Sequence, residues 1–273
     1  MDAYELDVRD LGFSYAGGSK ILDGVSLKIG GPQLISIIGP NGVGKSTFIY
    51  CLNKILSPTE GTVLVEGEDV KDISIKNLSK KMGFVPHATS DVFPMTVMDT
   101  VLMGRHPHSG RKITDEDVME AYNVLKLLDI GEFAMRPFDQ LSAGQHQKVV
   151  LARGLVQKPR ILLLDEPTSN LDIKHQMDVT RILKELSEKE SMTVVMISHD
   201  LNIAARYSDR VVMMYDHGIY CMGTPEEVIT EENISHVYKV ESKVVMDDGR
   251  PYVILRDSKF SPKPAGPDSV CSL

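Results

Sequence analysis

The sequence predicts an α/β fold with a mostly parallel sheet, an added antiparallel β-subdomain and an inserted helical subdomain. Three observations carry this. Short runs that are apolar throughout, LISII (34–38), ILLL (161–164) and MTVVMI (192–197), alternate with helical patterns, as parallel strands buried on both faces do. Residues 4–30 and 61–70 alternate polar and apolar side chains between Gly-rich turns, which suits antiparallel strands. Residues about 88–158 read as mostly helical.

In chain order, the N-terminal stretch supplies the first antiparallel strands and carries Tyr15 in GFSYAGG. LISII comes next, then the Gly-rich GPNGVGKST (39–47) and a helix over STFIYCLNKIL. TVLVEGEDV returns to the antiparallel layer, and MGFVP (82–86) is a further strand. ITDEDVMEAYNVLKLLDI is one amphipathic helix, with Thr114 as its N-cap and acidic residues in its first turn. LSAGQ (141–145) opens another helix. ILLLDEP (161–167) and MTVVMISHD are strands that end in polar residues. The last residues, 256–273, combine Pro, Ser and Gly with few apolar side chains and are expected to be a disordered tail. The domain expected from this pattern is residues 1–255.

A chain of 273 residues with 42 % hydrophobic and 25 % charged residues has ordinary globular composition. Its net charge of −8 weighs against a nucleic-acid partner. No apolar run approaches the roughly 18 to 20 residues that span a bilayer. The start, MDAYELDVRD, lacks the pattern of a secretory signal. Cys51, Cys221 and Cys271 imply neither a disulfide framework nor a Zn site. A cytoplasmic location follows, and any work at a membrane needs another chain.

The chemistry concentrates in a few motifs. GPNGVGKST fits G-x-x-x-x-G-K-[ST] and lies between a strand and a helix, as a phosphate-binding P-loop must. This makes the core a P-loop NTPase. The backbone from Gly39 through Pro40, Asn41, Gly42, Val43 and Gly44 to Thr47 would wrap phosphate oxygens with its N–H groups. Lys45 would reach the β- and γ-phosphates of ATP, and Ser46 would ligate Mg²⁺. Asp165, delivered by a buried strand, is the natural Mg²⁺ partner through water. Glu166 follows it, and alternation along a strand would turn it elsewhere, to polarise the attacking water. His199, at another strand end, could hydrogen-bond the γ-phosphate and that water. Tyr15 is a candidate for stacking on the adenine.

The ordered set Tyr15, GPNGVGKST, LSAGQ, ILLLDEP, SNLD (169–172) and SHD resembles the nucleotide-binding subunits of ABC transporters, up to about residue 255. LSAGQ is the part that other P-loop ATPases lack. The segments FPMTVMDTVLMGRHPHSG (93–110), TPEEVITEENISHVYKV (224–240) and DDGRPYVI look most like the subunits of metal-chelate importers for ferric siderophores, haem or cobalamin. The resemblance implies a homodimer with ATP sandwiched at its interface, each site combining the P-loop of one copy with LSAGQ of the other. Ser142 and the N–H groups of Ala143, Gly144 and Gln145, at a helix N-terminus, would hold the γ-phosphate. Asp172 would bridge the interface. It further implies two separate transmembrane permease subunits, an indirect link to a substrate-binding protein, and a peripheral place on the inner face of the cell membrane.

Two positions depart from the family pattern. Ala143 replaces the first glycine of LSGGQ, which is tolerable at ordinary helical dihedrals. His87 stands where a glutamine normally follows the strand MGFVP, and its imidazole could replace that amide as a metal or water ligand. Two other readings compete with the importer. A DNA-associated relative would carry long coiled-coil insertions, and no sustained heptads occur here. An efflux engine or an oxyanion importer would differ only in the subgroup-like segments.

Overall fold

The computed structural model describes residues 5–87, 95–109, 112–169 and 171–256. Part of the 93–110 segment, Asn170 and the tail from residue 257 onward lie outside the described residues.

An antiparallel sheet comes first in the chain. It is built from β1 (Leu6–Ser14), β2 (Lys20–Ile29), β4 (Glu60–Val65) and β5 (Glu68–Asp69), in the order β2-β1-β4-β5. The central sheet contains β3 (Leu34–Ile38), β6 (Met82–Val85), β7 (Ile161–Leu164), β8 (Thr193–Ile197), β9 (Arg210–Tyr215) and β10 (Gly218–Gly223). Its order is β10-β9-β3-β8-β7-β6, parallel throughout except for β10 at one edge. A hairpin, β11 (Glu241–Asp247) and β12 (Arg250–Arg256), closes the described chain. Its two-residue turn is Asp248-Gly249, both with positive φ, the backbone that Asp-Gly favours in tight hairpins.

The helices are α1 (Lys45–Leu52), α2 (Ile75–Lys81), α3 (Val97–Leu102), α4 (His106–Ser109), α5 (Asp115–Leu127), α6 (Ala143–Leu155), α7 (Ile173–Lys189), α8 (Leu201–Tyr207), α9 (Pro225–Val228) and α10 (Glu231–Tyr238). Between β6 and β7 the described residues form helices and 3₁₀ turns, with no named strand. Thr114 caps α5 with a reciprocal Thr114–Asp117 box, as expected, and three acidic residues fill the first turn.

The buried strands divide their side chains between two cores. Ile161, Leu163, Val195 and Ile197 join the antiparallel sheet and α1, whereas Leu162, Leu164, Val194 and Met196 face the helical block. Period-two alternation therefore operates inside strands that are apolar on both faces. That is why their sequences show no polar alternation.

One element is shorter than its pattern. The helix after the P-loop ends at Leu52, and Lys54 takes a left-handed conformation (φ 58°). Ile55 and Leu56 both donate their N–H groups back to Tyr50 O, and Lys54 Nζ reaches the carbonyls of Lys71 and Ile73 at 2.7 Å. These bonds turn the chain toward β4 while the apolar residues Ile55 and Leu56 prolong the helical pattern.

The topology places the carboxyl ends of β3, β8, β7 and β6 side by side. Into that edge open the P-loop, His199, Asp165–Glu166 and His87, the place where parallel α/β sheets hold ligands.

Candidate nucleotide site

The P-loop's shape depends on two glycines above all. A Cβ on Gly39 (φ 148°) would lie 2.3 Å from Met214 O, and one on Gly44 (φ 99°) would lie 2.9 Å from Ile21 O. Gly44 is the N-cap of α1, so its turn aims the helix N-terminus and its dipole at the loop. Lys45 is the first residue of that helix and only 6 % exposed. Its ammonium spans the loop, donating to Gly39 O and Pro40 O at 2.8 Å each. Burial pushes the Lys45 ammonium below the ordinary lysine value, opposed by the Glu166 and Asp165 carboxylates. Incoming phosphate oxygens would replace two neutral carbonyls as its acceptors.

Next to it, Ser46 Oγ donates to Asp165 Oδ1 at 3.0 Å, and the Tyr50 hydroxyl donates to Oδ2 at 2.8 Å. Burial first, then the Asp165 carboxylate, pushes the Tyr50 phenol up to about 12, so it remains a donor at neutral pH. Asp165 itself is buried, and its backbone N–H donates to Val85 O on the neighbouring strand. A hydroxyl and a carboxylate so placed are the hard oxygen donors that Mg²⁺ takes, with water and phosphate filling the rest of its shell. Among the described residues no group of three or more His, Cys, Asp and Glu is arranged to hold a metal ion, and this donor set does not need one.

Asp165 and Glu166 do diverge, but strand alternation is not the cause. β7 ends at Leu164, and Glu166 has left-handed backbone (φ 52°). For a residue with a Cβ that conformation costs about 1–2 kcal/mol, and such strain is held at functional positions. The turn swings the Glu166 carboxylate between two imidazoles. His199 Nε2 contacts Oε1 closely, and His87 Nδ1 lies 3.4 Å from Oε2. His87 Nδ1 is also 3.1 Å from Ser169 Oγ, whose hydroxyl donates to Glu166 O. A hydroxyl with its proton already committed accepts from the imidazole, which assigns the His87 proton to Nδ1. The structure thus sets His87 against Glu166 and Ser169.

Tyr15 is half exposed and packs edge-on against Phe13, with centroids 4.9 Å apart. It lines one cavity, of about 480 Å³, with Asn41, Gly42, Lys45, Ser46, Thr47, Glu166 and His199. A half-exposed aromatic ring therefore borders the cavity that the P-loop lines.

None of residues 142–145 lines that cavity. Ser142 caps α6 instead, its Oγ accepting from Gln145 N and its N–H donating to Gln145 Oε1. This capping box engages one of the three N–H groups expected to face an anion and leaves Ala143 and Gly144 to lead the helix. Ala143 is the first helical residue and has no positive φ, so its methyl is accommodated. Gly144 cannot be exchanged as easily, because a Cβ there would lie 2.8 Å from the His175 ring. His175 Nδ1 bonds Asp172 Oδ1 at 2.8 Å, and Asp172 caps α7. That hydrogen bonding holds the Asp172 carboxyl below its ordinary range, the His175 backbone N–H contributing most.

The sequence motifs include Ser169 only as the start of SNLD and omit Tyr50 and His175. Tyr50 carried one signal: it lies four residues after Ser46 and so shares its helix face. Among the described residues no helix is long and apolar enough to cross a membrane.

Comparison with known proteins agrees with this geometry. The ABC transporter family model matches residues 22–169. An ABC transporter ATP-binding protein of Methanocaldococcus jannaschii is 42 % identical over 91 % of this chain and 97 % of its own. The petrobactin import ATP-binding protein FpuD of Bacillus anthracis is 36 % identical over 89 % of each. A solved chain described as the inward-facing conformation of a metal-chelate type ABC transporter superposes with a TM-score of 0.81 at 27 % identity, over 94 % of this chain and 99 % of that one. With a P-loop, a buried Asp165 and a histidine-flanked Glu166 on one sheet edge, the chain belongs to the ABC transporter family and is one of its ATP-hydrolysing cassettes.

Proposed function

We propose that this chain, as one ABC ATPase domain over residues 1–255, energises a metal-chelate importer of the ferric siderophore, haem or cobalamin class. It works as a homodimer that closes on two ATP molecules. The observation that carries the dimer is the separation within one copy. The cavity is lined by the P-loop, Glu166 and His199, while Ser142 and Ala143 stand exposed at the head of another helix. A helix N-terminus of that kind binds anions, and a second copy brings it to the open side of the cavity. Asp172, exposed at the head of α7, would bridge the two copies. Import is supported by the names of the relatives and by the segments at 224–240 and 247–254. Two permease subunits would then hold the dimer at the inner face of the cell membrane, and a binding protein would deliver cargo to them.

In the closed site the Lys45 ammonium leaves its two carbonyls for phosphate oxygens, and Tyr15 stacks on the adenine. Ser46 and Asp165 would hold Mg²⁺, which neutralises phosphate charge when bound. Glu166 takes a proton from the water that attacks the γ-phosphorus, the bond to the bridging oxygen breaks, and ADP and phosphate result. The His199 N–H orients the Glu166 carboxylate for that transfer. His87, protonated at Nδ1 toward Glu166, leaves Nε2 as an acceptor for water or for the metal.

The test is Glu166→Gln in the full chain. With ATP and Mg²⁺ it should elute as a dimer on size-exclusion chromatography and hydrolyse ATP poorly. Elution as a monomer at ATP saturation would remove the shared-site reading.

A further inference from the structure

Both oxygens of the Asp165 carboxylate are held by hydroxyls from a single helix. Ser46 and Tyr50 leave the same face of α1, one turn apart, and reach Oδ1 at 3.0 Å and Oδ2 at 2.8 Å. The Tyr50 ring is itself fixed, edge-on to Phe84 of β6 with centroids 5.9 Å apart and planes at 90°. Asp165 is 2 % exposed, so this carboxylate cannot swing to solvent. It turns only by breaking one of two hydroxyl bonds.

The two hydroxyls differ in what they face. Ser46 lines the nucleotide cavity, and Tyr50 does not. Ser46 would give its oxygen to a divalent cation held in that cavity, which would weaken its bond to Oδ1. Tyr50, outside the cavity lining, would keep its bond to Oδ2. We propose that Tyr50 is the positioning residue of the divalent-cation site, fixing Asp165 so that Oδ1 alone is presented to the metal and its water shell. This rests on the reading of Ser46 and Asp165 as the Mg²⁺ donors. A phenol suits the task because it is neutral: it orients the carboxylate without cancelling the charge that attracts the metal, as a lysine or arginine there would. Partners of this kind, one bond beyond the ligand, set metal affinity through ligand orientation.

The alternative is that Tyr50 only satisfies a buried carboxylate, so its loss would weaken folding and leave the metal unaffected. Tyr50→Phe separates the two, since it removes the hydroxyl and keeps the ring against Phe84. Mn²⁺ binding to the full chain with a non-hydrolysable ATP analogue is read by electron paramagnetic resonance, well below the melting temperature. Binding of the same analogue in EDTA reports on the P-loop alone. The expected result is a loss of about tenfold or more in Mn²⁺ affinity, with analogue binding in EDTA unchanged. Equal Mn²⁺ affinity in the two proteins would overturn the proposal. So would a matching loss of analogue binding in EDTA, which marks a disordered P-loop. A wild-type chain that binds the analogue but no Mn²⁺ would instead overturn the assignment of Ser46 and Asp165 to the metal.

Discussion

At the scale of single residues, the site separates adjacent carboxylates by conformation. Asp165 is buried and hydroxyl-bound, whereas Glu166, one residue on, is turned by a left-handed backbone to face His199 and His87. His199→Ala should therefore lower kcat for ATP hydrolysis by about a hundredfold or more, because the base it orients, Glu166, contributes on that scale. The KM for ATP should change little, because Lys45 and the P-loop backbone are intact. Steady-state kinetics check this, and a variant with a wild-type kcat would exclude the histidine from the reaction. Lys45, Ser46, Asp165 and Glu166 were legible in the sequence because spacing in a P-loop and the end of a buried strand fix what they can reach. Tyr50 was not, since a tyrosine in a helix buried on most sides reads as core. The left-handed turn at Glu166 was hidden too, because strain at a non-glycine residue leaves no compositional mark.

At the scale of elements, legibility follows capping chemistry. The starts of α5 and α6 were legible from Thr114 before an acidic turn and from Ser142 in LSAGQ, and the structure closes each with a reciprocal box, Thr114–Asp117 and Ser142–Gln145. The end of α1 could not, because Lys54 takes the left-handed position that glycine usually fills and is anchored by contacts from distant Lys71 and Ile73. The same box gives α6 a second duty, since it stiffens the helix end that the proposed mechanism aims at a phosphate. Ser142→Ala should cost about 1 kcal/mol of stability, read as a lowered urea midpoint at unchanged m-value. Ser142→Asn, which also caps, should restore most of it. Stability equal to wild type in Ser142→Ala would mean that the cap is satisfied elsewhere.

At the scale of the whole molecule, one sheet edge gathers groups from four separated strands, and one further group, at Ser142–Gln145, stays outside. The fold class was legible because fully apolar runs can be nothing but buried strands or buried helices, and their length chose strands. The sorting of each strand's side chains between two cores was not, since both faces are equally apolar. The outlying group makes a prediction that no single-copy enzyme would meet. Let one copy carry Lys45→Ala, which disables its P-loop, and let another carry Ser142→Arg, which blocks its helix N-terminus. Each alone should be nearly inactive. Mixed in equal amounts, half the dimers pair unlike copies, and each such dimer has one site made from a sound P-loop and a sound helix. With symmetric, independent sites, activity should recover to about one quarter of wild type. Recovery should grow with protein concentration and vanish on dilution below the dimer's dissociation constant. A mixture no more active than its two components would show that the P-loop and Ser142 act within one copy, or that neither site works unless both are whole. The second case is recognised by ATP still driving the mixture into dimers on size-exclusion chromatography.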